Sequence, residues 1–274
     1  MTSNIDKAPD VAIYGSAIRT WLWERVNNNL KETNKCNFKI FFCGHIKPDF
    51  ELPENFVYIH SEMGAAACVE IATKQAVASG AKYVMCLTDD FIDTTDRTGD
   101  NPPKGILDTL IDEIEESEKE LVVCAAFRNA MPPTPYLDLH IITGNDKSPL
   151  IPVWPMMKNS TMVKAGGIDK RFEALYWDCD RIFKLHEIGG IDFKVCYKVE
   201  ASEDVNQPSS DICGGRRNGA TLWKTHWRKD RALLDSLWKC SRTPDVKVER
   251  LEPLQGYTES DLNFTIFDGS KNKE

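Results

Sequence analysis

Apolar and polar positions come in blocks along the chain, and the period of each block predicts its element. Val11-Ala12-Ile13-Tyr14 is a short continuous apolar run, a strand, and Gly15-Ser16-Ala17 turns out of it. Over residues 18–30, Trp21, Leu22, Val26 and Leu30 recur at helical spacing. Residues 38–43 are a second strand, Gly44-His45 follows, and Pro48 and Pro53 mark a loop before a third strand at 56–59. An Ala-rich helix spans 64–78 and Gly80 closes it. Residues 83–87 then form a buried strand that runs straight into Asp89-Asp90. The order strand, helix, strand, strand, helix, strand predicts an α/β fold with a mainly parallel central sheet flanked by helices.

Beyond that strand the pattern loosens. Residues 91–105 carry Asp93, Asp96, Asp100 and Pro102-Pro103 and read as a polar loop. Residues 106–119 form an acidic amphipathic helix and 121–127 a further buried strand. The segment 131–155 is Pro-rich without a period, as binding-site segments and lids are. Asp178 and Asp180 fall where a helix opens, continues through Ile182, Phe183 and Leu185, and stops at Gly189. Residues 221–238 read as an amphipathic helix, and 262–267 alternate like an edge strand.

Composition narrows the class. With 42% hydrophobic and 28% charged residues among 274, the chain is an ordinary globular protein, and a net charge of -8 excludes bulk attraction to nucleic acid or membrane. No apolar run reaches the ~20 residues of a membrane span, and the polar residues 1–10 show no secretory signal, so a cytoplasmic protein is expected. The nine cysteines are scattered without a Cys-x-x-Cys pair, which fits free thiols and not a zinc site.

Two stretches carry chemistry. Asp89 and Asp90 must emerge at the carboxyl end of their strand, where ligands bind in open α/β sheets. Adjacent carboxylates repel unless a cation or a hydrogen-bond network holds them. A hard divalent ion bridging carboxylate to phosphate would do so, and a water-facing capping pair is the plain alternative. Asp178 is either a simple N-cap or a carboxylate held rigidly beside that site. A basic stretch, 214–231, sets Arg216, Arg217, Lys224, Arg228, Lys229 and Arg231 against Asp230 alone, with Trp223, His226 and Trp227 interleaved. It fits a lid over a diphosphate, an acceptor site for a polyanion, or a solvated helix.

In order and approximate spacing these stretches resemble the GT-A-fold glycosyltransferases, most nearly the inverting family 2 type. That family runs from a helix with a Gly-rich start into a strand ending in Leu-Asp-x-Asp, as residues 64–90 do here. It then has Gly-Gly-Phe-Asp-x-x-Phe and Glu-Asp-x-Asp opening a helix. Gly166-Gly167-Ile168-Asp169-Lys170-Arg171-Phe172 and Trp177-Asp178-Cys179-Asp180 follow that pattern. The likeness spans 11–199. Thr88 replaces the first acid of the metal motif, Trp177 replaces the Glu, and the helix from Gly64 lacks the family's Arg-Asn pair.

The resemblance implies transfer of a sugar, with inversion, from a nucleotide-diphosphate sugar such as a UDP-sugar to an acceptor hydroxyl. It places a magnesium or manganese ion on Asp90, with Asp89 beside it and His226 as a further metal or phosphate ligand. Donor contacts would come from Tyr14, Gly15, Ser16, Ala17, Arg19, His45, Glu62, Gly64, Thr88 and Asp89. Asp178 would be the general base, and Trp177, Asp180, Arg216 and Arg217 would face the acceptor, a glycan or a hydroxylated base in nucleic acid. The implied domain covers 1–240, with a nucleotide half at 11–93, an acceptor half at 121–240 and a tail at 241–274. A nucleotidyltransferase is a rival, although Tyr14-Gly15-Ser16-Ala17-Ile18-Arg19 poorly matches its basic Gly-rich loop. A non-catalytic nucleotide- or sugar-binding module is the other, kept open by Thr88 and Trp177.

Overall fold

The apolar runs become the middle of one sheet. The structure, a computed structural model, describes residues 8–128, 139–141, 150–204, 221–241 and 247–271. Its strands are β1 (Val11–Ser16), β2 (Phe38–Gly44), β3 (Phe56–His60), β4 (Tyr83–Cys86), β5 (Phe91–Asp93), β6 (Glu120–Arg128), β7 (Leu139–Ile141), β8 (Leu150–Pro152), β9 (Met156–Lys158), β10 (Ile191–Glu203), β11 (Trp238–Ser241), β12 (Lys247–Arg250) and β13 (Thr265–Asp268). Its helices are α1 (Thr20–Thr33), α2 (Ala65–Ala78), α3 (Ile106–Glu116), α4 (Asn159–Ala165), α5 (Trp177–Ile188) and α6 (Thr221–Leu237).

Nine strands form the main sheet in the order β13-β3-β2-β1-β4-β9-β6-β10-β5. β3, β2, β1, β4, β6 and β10 run the same way, while β13, β9 and β5 run against them. The result is a mixed α/β fold around a large, mostly parallel sheet. Successive residues of a strand face opposite sides, so the sheet has two cores. Ala12, Tyr14, Phe41, Cys43, Val57 and Ile59 pack toward α2 and α5. Val11, Ile13, Ile40, Phe42, Phe56 and Tyr58 pack toward α1 and α3. Trp23 of α1 is fully buried there, stacked on Phe56 at 5.4 Å with Phe42 edge-on at 5.6 Å. Among the described residues no helix is long and apolar enough to cross a membrane.

One expected loop is partly a strand. The start of 91–105 forms β5, because Phe91, Ile92 and Asp93 pair antiparallel with Glu203, Ser202 and Ala201. The longest strand, β10, is not marked by the sequence pattern, since its residues alternate irregularly between buried and exposed around a break at Cys196–Glu200. Most of the Pro-rich segment 131–155 lies outside the described residues.

The chain beyond residue 240 is bound into the body. β13 extends the sheet on β3, and Lys170 N–H donates to the Gln255 carbonyl at 2.8 Å. The Arg250 guanidinium reaches Asp169 at 2.7 Å and also pairs with Asp180. Both carboxylates are fully buried, so each depends on its cations. Burial alone would raise the Asp169 carboxyl, but Arg171 and the N–H groups of Arg171 and Gln255 bring it below the usual carboxylate range. A depressed folded pKa adds stability that is present above the unfolded value of ~3.9 and is lost as pH falls through the folded one. Urea midpoints of the wild type should therefore fall below about pH 4, and Asp169→Asn should flatten that slope. Arg250→Ala, which takes one cation from each of two buried carboxylates, should cost about 3–5 kcal/mol at neutral pH by the same measurement.

Candidate functional site

The carboxyl ends of β1, β2 and β4 meet where β4 releases Thr88, Asp89 and Asp90. β1 and β4 approach so closely that a side chain at Gly15 would run into the Leu87 carbonyl, and one at Gly44 into the Ala17 carbonyl. The loop from β1 to α1 is laid across this rim, with Ala17 N–H donating to the Cys43 carbonyl at 2.9 Å.

Asp89 fixes that loop. Its Oδ2 accepts the N–H groups of Ile18 at 2.7 Å and Arg19 at 2.6 Å, and the Arg19 guanidinium closes on Oδ1. Burial raises its carboxyl above the usual range; Arg19 and the two N–H groups work the other way without cancelling the rise, and the Asp90 charge adds to it. Both oxygens are engaged inside the protein and the residue is 1% exposed. The metal and sugar contacts expected of Asp89 therefore give way to a structural one.

Asp90 differs. Its Oδ2 lies 3.2 Å from Arg19, while its Oδ1 is buried without a hydrogen-bond partner, as is the neighbouring Thr88 Oγ1. A carboxylate oxygen is acceptor-only, so this oxygen has the chemistry of a hard-cation ligand. No three His, Cys, Asp or Glu side chains converge on a metal among the described residues. Asp90 would then be a single protein ligand, with substrate phosphate and water completing the shell, as is usual for magnesium.

α5 brings the second carboxylate. Asp178 sits half-buried in its first turn beside the Cys179 thiol, with no ion pair among the described residues. Its charge reaches the Cys86 thiol, at the end of β4. Burial pushes that thiol up to about 12 against the pull of Arg181, and Asp178 adds to the rise. α5 packs on the same face of the sheet as Cys86, so Asp178 opens its helix near the end of β4.

Beneath them lies a cation that the sequence pattern missed. Arg181, 2% exposed, donates to the Tyr14 hydroxyl at 3.0 Å and to Thr73 Oγ1 at 3.3 Å. Its guanidinium lies 5.5 Å from the Tyr14 ring centre and 5.7 Å from that of Trp177. Burial works against its charge, yet Tyr14, the Glu70 carboxylate and Cys86 carry the net shift upward. The available signal was spacing: Arg181 follows Asp178 by three residues, so it shares a helix face with it and lies on a turn with buried Cys179 and Ile182.

The other expected residues divide. Tyr14, Gly15 and Ala17 are buried in the wall at the end of β1, and Tyr14's hydroxyl is occupied by Arg181. Ser16, Thr88 and Trp177 are half-buried on the rim, and His45 is exposed beyond β2. Glu62, its side chain 77% exposed, pairs with His60 at 3.2 Å. Gly64 caps α2 and is exposed. Asp180 is not an acceptor contact: it is fully buried, taking the Trp238 indole N–H at 2.9 Å and the charges of Arg250 and Lys184. His226 pairs with Glu173. Arg216 and Arg217 lie outside the described residues.

No family model matches the chain, and no curated protein matches it. Among the solved structures that are similar are two of one protein. One is S. aureus TarS 1–349, at 10% identity over 71% of this chain and 60% of that one, with a TM-score of 0.49. The other is S. aureus TarS, at 11% identity over 82% of this chain and 42% of that one, also at 0.49. The chain thus spans less than two thirds of either.

The two neighbouring aspartates should separate in a urea titration. Asp89→Ala leaves two N–H groups without an acceptor and should cost about 2–4 kcal/mol. Asp90→Ala removes a partly exposed ion pair and should cost less than about 1 kcal/mol. Equal losses would show that Asp90 is structural too.

Proposed function

We propose that the chain is a GT-A-type glycosyltransferase that moves a sugar, with inversion, from a nucleotide-diphosphate sugar to an acceptor hydroxyl. The observation that carries this reading is a pair of incompletely engaged carboxylates near the carboxyl end of the parallel sheet: Asp90, whose Oδ1 is buried without a partner while Oδ2 pairs with Arg19, and Asp178, which has no ion pair among the described residues. Asp89 and Asp169, by contrast, have both oxygens engaged inside the protein. Leaving two unsaturated at the ligand-binding end of the sheet is the arrangement a two-carboxylate group transfer needs.

The roles follow from position. Asp90 is the ligand for a magnesium or manganese ion, which when bound would offset the negative charge developing on the leaving nucleoside diphosphate. Arg19, paired to Asp89 and Asp90 with its side chain about a quarter exposed, adds positive charge where that diphosphate would lie. Asp178 takes the proton of the acceptor hydroxyl as its oxygen bonds to the anomeric carbon, on the face opposite the departing phosphate. Trp177 supplies a half-buried aromatic wall beside that base, suited to the apolar face of a sugar ring. Thr88 Oγ1, buried and unpartnered, is available to a donor hydroxyl or phosphate oxygen.

Release of nucleoside diphosphate from UDP-, GDP- and CDP-sugars, with and without manganese, tests the reading. The wild type should turn over one donor class. Asp178→Asn should lower kcat by about 10²–10⁴-fold with donor affinity unchanged. Full activity in Asp178→Asn would remove the general-base assignment.

A further inference from the structure

The short segment that delivers Asp178 is held from α6. Successive N–H groups of Glu173, Ala174 and Leu175 converge on the Asp230 carboxylate at 3.2, 2.9 and 2.8 Å. Consecutive N–H groups turned toward one point form an anion nest, and here α6 supplies the anion. Asp230 is fully buried. The rest of this face of α6 grips the same segment: His226 and Lys229 pair with the Glu173 carboxylate, and the Arg231 guanidinium lies 5.7 Å from the Tyr176 ring centre.

That segment touches both sides of the candidate site. The Glu173 carbonyl accepts Ala66 N–H at 3.3 Å, and a side chain at Gly64 would meet it at 3.0 Å, so it fixes the start of α2. Tyr176, at φ 60, is in the left-handed region and caps α5, with its carbonyl accepting Asp180 N–H at 3.0 Å. A bulky residue persists in that conformation only where its surroundings over-determine it. Asp178 lies two residues on, so its placement inherits whatever sets 173–176.

We propose that Asp230 is a positioning residue for the reaction assigned to Asp178: its carboxylate fills the 173–175 nest and thereby sets Asp178 against the donor side at the start of α2. The inference rests on the glycosyl-transfer reading. It also accounts for the one acid in the basic stretch 214–231, which neither a diphosphate lid nor a solvated helix requires.

The test is chemical rescue. Asp230→Ala empties the nest, and kcat should fall about 10²-fold, the scale of a misplacement near 1 Å, with nucleoside diphosphate affinity unchanged. Added formate, the carboxylate that the substitution removes, should restore kcat with saturation in Asp230→Ala and have no effect on the wild type. The isosteric Asp230→Asn, which keeps one acceptor oxygen and guards against misfolding, should lose less than Asp230→Ala. Placing Asp230→Ala on Asp178→Asn should cost no further kcat, because the group being positioned is already gone. Parallel loss of kcat and nucleotide affinity, or loss that formate does not reverse, would overturn the positioning role. A wild type that turns over no donor would fell the parent reading instead.

Discussion

A carboxylate leaving the end of a buried strand must find partners, and Asp89 finds them in the loop that follows β1. The two N–H groups it accepts and the guanidinium that closes on it join the carboxyl ends of β1 and β4. Everything at the rim depends on this junction. It holds Arg19 between Asp89 and Asp90, brings the Gly15 backbone against Leu87 where no side chain fits, and leaves Thr88 and Asp90 on the outer edge with unpartnered oxygens. One aspartate is consumed so that its neighbour is presented.

The second half of the site is built by the same logic with the signs reversed. α5 opens with two acids, and the fold treats them oppositely. Asp180 is drawn into the core and neutralised by Arg250 and Lys184, which also secures the tail that returns from β12. Asp178 is left half-buried near the end of β4. Between the halves, Arg181 lies under Tyr14 and Trp177 and bonds to Thr73 of α2, so β1, α2 and α5 share one buried cation. The electrostatics of the core thus position the groups that face out of it.

The sequence disclosed the parallel half of the sheet well, because each central strand is buried on both faces and must be an apolar run. It disclosed the carboxylates at 89, 90, 178 and 180, because acids placed at strand ends and helix starts are conspicuous. It could not show which of them would be saturated. That is decided by Arg19, Arg250 and backbone N–H groups up to 71 residues away. β10 stayed hidden because its irregular burial pattern matches neither a strand with one solvated face nor a continuous apolar run. Arg181 stayed hidden because a charged residue in a helix reads as solvated until the fold surrounds it. Tyr14, at a strand end, read as a ligand contact for the converse reason, since nothing local reveals that its hydroxyl is already taken.

The central claim is that Asp90 is presented to a cation and a nucleoside diphosphate. Calorimetric titration of UDP, GDP and CDP, each with and without manganese, into the wild type and Asp90→Ala tests it most directly. The account predicts binding of one nucleotide that requires the metal and vanishes in Asp90→Ala. Tight binding of none, or binding that Asp90→Ala leaves intact, would contradict it.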